Sequence, residues 1–231
     1  MIFASFFKAL GQMNDPRFRR VLGLGVLLTL ALLVAAYAGF LWLLQWLSGP
    51  ETELPLIGTV TWLDDLLGWS SLFLMLGLSV FLMVPVASAI TSMFLDEVAQ
   101  AVEDRHYPHL PAAPGVSIGV ALRDTVNFMG VLIAANVLAL FLYALAPWAM
   151  VFIFWGMNGY LLGMEYFQLA AMRRIGRAEA KIMRGRHRGT IWVAGTLMAM
   201  PLSLPLVNLL IPILGAATFT HIFHGLTTRA R

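Results

Sequence analysis

Arg19 and Arg20 stand side by side just before a long uncharged run, and Gly23-Leu24-Gly25 follows them. A guanidinium is a planar fork that donates paired hydrogen bonds, so two adjacent arginines can clasp a tetrahedral oxyanion such as sulfate or phosphate. Glycine lets a backbone approach an anion closely. A helix N-terminus at this point would add N–H groups and a favourable dipole. The same two side chains can instead snorkel to lipid phosphates at a membrane surface. Taken alone, the pair favours that lipid-anchoring role.

Other residues with chemical potential are few. Asn136, Asn158 and Asn208 are polar positions inside apolar segments. Such residues line solute routes or form helix–helix hydrogen bonds, and for any single asparagine the hydrogen bond is the better reading. His106 with His109, and His221 with His224, make two HxxH pairs. Metal binding needs three or four converging ligands, so no metal site is expected and the histidines read as interfacial or solvated. The absence of cysteine excludes disulfides, thiolate metal sites and cysteine nucleophiles. With no phosphate loop, no nucleophile elbow and no paired carboxylates in a spanning segment, neither an enzyme nor a cofactor is expected.

The elements that position these residues follow from composition. The chain of 231 residues is 60% hydrophobic and 12% charged. A soluble domain carries about 25% charged residues, so this chain has too little polar surface for a water-facing body. An all-α integral membrane protein is expected, forming a single membrane domain over residues 1–231. The excess of basic residues flanks apolar runs, which points to membrane lipids and orientation rather than nucleic acid.

Residues 1–15 predict an interfacial amphipathic helix, with Phe3, Phe6, Phe7 and Leu10 near one face. Two long transmembrane helices are expected at 21–47 and 67–95, the first ending near the interface anchors Trp42 and Trp46, the second kinked at Pro85. Residues 96–125 read as a helix extension from Asp96 to Asp104, a proline-rich loop, and an amphipathic start near Ser117. The runs 126–164 and 190–223 are broken by Pro147 and by Pro201, Pro205 and Pro212. Split at the break, each arm of the first run is at the lower limit for spanning. These runs are therefore expected to be partly inserted helical hairpins, with two tight, fully crossing hairpins as the alternative. Gly159 and Gly163 form a GxxxG suited to close helix packing inside a hairpin or between subunits. Between the hairpins, residues 165–189 read as a basic loop carrying Arg173, Arg174, Arg177, Lys181, Arg184, Arg186 and Arg188. By the positive-inside rule this loop and both termini are cytoplasmic in a multi-pass protein of a bacterial inner membrane.

The chain resembles the CysZ sulfate permease family, which shares a superfamily with the etoposide-induced endoplasmic-reticulum membrane proteins. The resemblance rests on Pro16-Arg17-Phe18-Arg19-Arg20 before the first span, on the segment from Gly159 to Glu165-Tyr166, and on the proline-rich stretch from Met200 to Thr218. It implies two long transmembrane helices, two partly inserted hairpins, homo-oligomers, and uptake of sulfate for cysteine biosynthesis without ATP. It also maps sulfate binding onto Arg19 and Arg20.

Two functions are thus in view. In the first, the chain is a sulfate or oxyanion permease of the inner membrane, with Arg19, Arg20, Gly23 and Gly25 at the binding mouth and Asn136, Asn158 and Asn208 as candidates to line the route. In the second, it is a membrane scaffold or interaction protein without transport, whose basic loop recruits a partner or anionic lipid. The simplest reading of that loop is orientation by the positive-inside effect.

Overall fold

A computed structural model describes residues 1–48, 53–54, 58–59, 94–111, 113–114 and 118–229. Apart from a two-residue antiparallel ladder, Glu53–Leu54 with Gly58–Thr59, its regular elements are helical. Of the second long span expected at 67–95, residues 67–93 lie outside the described residues.

Helix α1 (Ile2–Gly11) buries its small residues Ser5 and Ala9 and packs Ile2 and Phe6 against the core. Phe3, Phe7 and Leu10 point outward. Asp15 then starts α2 (Pro16–Ser48): its Oδ1 accepts the Arg17 amide at 2.9 Å. Pro16 takes the first helical position, where its missing N–H costs nothing. Residues Pro16–Gly39 are long and apolar enough to cross a membrane. Leu27, Leu30, Leu32 and Val34 are exposed along this helix, a surface suited to hydrocarbon rather than water.

Helix α3 (Leu95–His106) has Asp96 and Glu97 in its first turn and Arg105 and His106 in its last, both matched to the helix dipole. It buries Leu95, Val98, Ala99 and Val102. Helix α4 (Ile118–Leu145) contains the second apolar stretch long enough to span, Asn127–Leu145. It stops where Pro147 pushes Ala146 out of helical geometry (φ −138°, ψ 69°).

After a 3₁₀ turn, α5 runs from Met150 to Arg186, with one non-helical residue at Gly176 (φ 74°, ψ 172°). Only glycine adopts that geometry without strain. The basic segment expected as a loop is therefore helical. Tyr166, Phe167, Ala170, Ala171 and Arg173 continue the buried face of α5, and this periodic burial outweighs the local charge. Helix α6 (Arg188–Ala199) ends in a 3₁₀ turn and the short α7 (Pro205–Asn208), where Pro201 and Pro205 remove backbone donors. Helix α8 (Ile211–Arg229) follows.

Gly159 and Gly163 of α5 meet α6. A Cβ on Gly163 would stand 2.6 Å from the Ile191 carbonyl oxygen, and one on Gly195 would run into the Gly159 carbonyl. The GxxxG thus sets a backbone-to-backbone contact between the second arm of one hairpin and the first arm of the next. Trp192 fastens it by donating Nε1–H to the Gly156 carbonyl at 2.8 Å. At the centre, α8 packs on α1, α3 and α5 and buries Ile213, Phe219, Ile222 and Phe223.

Candidate oxyanion mouth and the ion-pair clamp behind it

Helix α3 carries polar residues at Asp96, Gln100, Glu103 and Asp104, spaced so that they share one side of a helix. That side receives arginines from α2 and α5. Glu103 is 2% exposed and accepts four hydrogen bonds. Its Oε1 takes Arg174 Nε at 2.9 Å and His224 Nε2 at 3.0 Å. Its Oε2 takes Arg174 Nη2 at 2.7 Å and Arg173 Nη1 at 3.1 Å. Arg173, 4% exposed, also reaches Asp96 at 2.6 Å and Gln100 Oε1 at 2.7 Å. Burial raises the Glu103 carboxyl. The hydrogen bonds from His224 and Arg174 and the two guanidinium charges outweigh this and hold it at about 2. In turn, the hydrogen bond to Glu103 raises Arg174 above its ordinary value.

Every acceptor position of Glu103 is used, and two arginines face the two carboxylates Asp96 and Glu103. The pairs are charge-balanced and Glu103 is fully bonded, so the cluster serves as a clamp joining α3, α5 and α8, with the exposed Asp96 at its edge. Beside it, Tyr107 Oη lies 3.0 Å from His221 Nδ1, and the His106 and His221 rings meet edge-on at 4.7 Å. Burial raises the Tyr107 hydroxyl. His221 and His224 are therefore core residues, contrary to the interfacial or solvated placement expected from sequence. Their spacing of three residues puts both on the side of α8 that faces α3.

The arginines at the start of α2 are held differently. Arg17 Nη1 meets Asp104 Oδ2 at 2.5 Å, and Gln100 Nε2 supports Asp104 Oδ1 at 2.7 Å. This hydrogen bond raises Arg17 and lowers Asp104. Arg20 Nη1 sits 3.7 Å from Glu97 Oε1, too long for a hydrogen bond, and its side chain is 70% exposed. Arg19 is exposed and has no ion pair among the described residues. A cleft of about 520 Å³ opens next to these groups, lined by Arg17, Asp96, Glu97, Gln100 and Arg173.

Gly23 and Gly25 lie inside α2, since the helix begins at Pro16. Their amides belong to the helical ladder and are not an N-terminus. Gly23 leaves open space one turn after Arg19, while the Gly25 carbonyl accepts the buried Thr29 hydroxyl at 2.6 Å. The three asparagines fall on three elements. Asn136 of α4 donates to the Leu132 carbonyl at 2.8 Å, and Asn158 of α5 donates to the Phe154 carbonyl at 2.9 Å. Each is bonded to its own helix rather than to a neighbouring one. Asn208 closes α7 and is half-buried.

Residues 5–212 match the family described as sulfate transporter CysZ/etoposide-induced protein 2.4. The chain belongs to this family. No curated protein matches it closely enough to serve as a named relative. The match begins within α1 and ends at the start of α8, and so includes Arg19 and Arg20, the Glu103–Arg173–Arg174 part of the clamp and the α5–α6 glycine contact, while His224 lies beyond it. The family is one of transporters rather than enzymes, and a membrane protein is in keeping with the two long apolar helices.

Sequence reasoning missed the clamp. Its members are 70 and 121 residues apart, and each stands where polar residues normally mark a solvated end. One signal was present: Gly163, Phe167, Ala170 and Arg174 follow one helical face at steps of four, three and four, so the dibasic pair prolongs a buried stripe.

Proposed function

We propose that the chain is a permease for sulfate-class oxyanions in a bacterial inner membrane, supplying sulfate for cysteine synthesis. The family match over residues 5–212 carries this reading. The geometry that supports it is an exposed, incompletely neutralised arginine pair at the start of an apolar helix long enough to span. Arg19 and Arg20 provide the bidentate donors. Gly23, on the same side one turn on, keeps the surface low enough for an anion to sit between them. Asn136, Asn158 and Asn208 are the candidate polar positions along the route, each amide keeping hydrogen-bonding capacity beyond its helix.

The N- and C-termini are assigned to the cytoplasm from the distribution of basic residues. A homo-oligomer is expected because α2 and α4 leave apolar side chains such as Leu30, Val34, Val137 and Leu140 exposed, a surface that further copies of the chain can cover to enclose a wet path. Permeation requires sites that bind weakly enough to release the ion, in keeping with a mouth that is open to solvent.

The test is uptake of labelled sulfate into liposomes, with phosphate and chloride as comparators. Saturable sulfate entry, lost in the Arg19→Ala/Arg20→Ala variant, is the expected result. Unchanged flux in a folded variant would remove the arginine pair from the mechanism. No flux of any anion from folded wild-type protein would overturn the permease reading.

A further inference from the structure

The four carboxylates of α3 are not equivalent. Glu103 is buried under four hydrogen bonds, Asp96 lies 2.6 Å from Arg173, and Asp104 is fixed by Arg17 and Gln100. Glu97 alone among them makes only a loose pair: 3.7 Å to Arg20, with side chains 34% and 70% exposed. Exposed pairs of this length contribute little to stability and are readily exchanged for other partners. Glu97 also sits in the first turn of α3, where the helix dipole favours its charge with or without Arg20.

In the ion pairs of this junction Arg17, Arg20, Arg173 and Arg174 stand against Asp96, Glu97, Glu103 and Asp104, four charges of each sign. Arg19 is exposed outside these pairs, and Asp15 adds a carboxylate beside Arg17. A dianion held there adds negative charge, which is relieved when Glu97 withdraws and Arg20 turns to the ligand.

We infer that Glu97 is the internal counter-ion of the oxyanion mouth: it holds Arg20 when the site is empty and is displaced by a bound dianion, and so sets the affinity and valence preference of the site. The inference rests on the permease reading above. Because the clamp and the buried Leu95 and Val98 hold the α3 backbone, the displacement is a movement of the Glu97 side chain alone. Glu97 touches the binding arginine rather than the route, so it tunes selectivity without being required for passage.

The experiment compares wild type with Glu97→Gln in liposomes, measuring half-saturating concentrations for labelled sulfate and for chloride. Removing one negative charge roughly 6 Å from a dianion, in water-like dielectric with physiological salt, should lower the sulfate value about three- to tenfold. Chloride, with half the charge, should change by about the square root of that factor. Glu97→Ala repeats the test with a second neutral side chain, and Glu97→Asp should restore the wild-type preference. Size-exclusion profiles establish that each variant is folded. Sulfate transport by wild type with an unchanged or higher half-saturating concentration in both neutral variants would overturn the role of Glu97 and leave the permease standing. Equal shifts for sulfate and chloride would overturn it too, since a charge effect must scale with valence. Absence of sulfate flux in folded wild type would overturn the permease reading and this inference with it.

Discussion

Replacing Glu103 by Gln keeps the shape of the side chain and removes the charge that compensates Arg173 and Arg174. Two estimates of the cost converge. A carboxyl held at about 2 rather than its ordinary 4.5 corresponds to about 3 kcal/mol of stability. Removing one partner from a buried ion pair costs about 3–5 kcal/mol by mutational precedent. For a chain of this size, about 3 kcal/mol lowers the unfolding midpoint by roughly 6–12 °C. The assay is thermal unfolding of detergent-solubilised protein, read by the loss of the monodisperse peak in fluorescence size exclusion. The pH dependence adds a second constraint. The folded carboxyl binds protons less readily than the unfolded one, so its contribution is present above about pH 4.5 and is lost as pH falls through about 2. The gap between wild type and Glu103→Gln should therefore be full at pH 7 and shrink progressively below about pH 4.5. A midpoint within about 2 °C of wild type at pH 7, or a gap that does not narrow with acid, would refute the claim that this carboxylate holds the helical junction.

Glu103→Gln combined with Arg174→Ala should cost less than the sum of the single changes, with a coupling of about 1–3 kcal/mol in the same unfolding assay, because both remove one shared interaction. Gly195→Ala should push α6 off α5, since its Cβ would meet the Gly159 carbonyl; the expected loss is about 1–3 kcal/mol or more. Gly156→Ala has open space at its Cβ and should stabilise the helix by about 0.5–1 kcal/mol, so the pair separates packing from propensity in one thermal experiment. Tyr107→Phe removes the hydroxyl facing His221 Nδ1 and should cost about 1–3 kcal/mol as the buried ring nitrogen loses its partner.

Much of the architecture was legible because it depends on local rules. Pro147 ends a helix wherever it stands in an apolar run, and the prolines at 201 and 205 do the same for α6. Asp15-Pro16 marks a helix start through capping and a tolerated imino position. The GxxxG announced a close contact, though not its partner, because Ile191, Gly195 and Thr196 lie across a turn whose path the motif does not encode. The polar interior was not legible for a stronger reason. Charge at the end of an apolar run has the same appearance whether it meets water or another buried charge, and only tertiary folding brings Glu103 to Arg173, Arg174 and His224. For Gly23 and Gly25 the sequence expectation is a helix N-terminus at the arginine pair, yet the capping by Asp15 starts α2 at Pro16 and puts both glycines a full turn or more inside it.

The clamp and the mouth share one helix, and this bears on how selectivity is held. From Gln100 to Asp104, α3 is tied to α5 by buried guanidiniums and to α2 by the Arg17–Asp104 pair. Its first turn is held by Arg173 to Asp96 and by the buried Leu95 and Val98, while the Glu97 side chain itself is only loosely paired. A rigid clamp fixes how far Glu97 stands from Arg20, and a dianion then competes with one side chain at a set distance. Loosening the clamp by Glu103→Gln should therefore broaden the sulfate dependence that Glu97→Gln merely shifts. A folded Glu103→Gln protein with the wild-type sulfate and chloride half-saturating concentrations would show that the mouth is positioned by α2 alone.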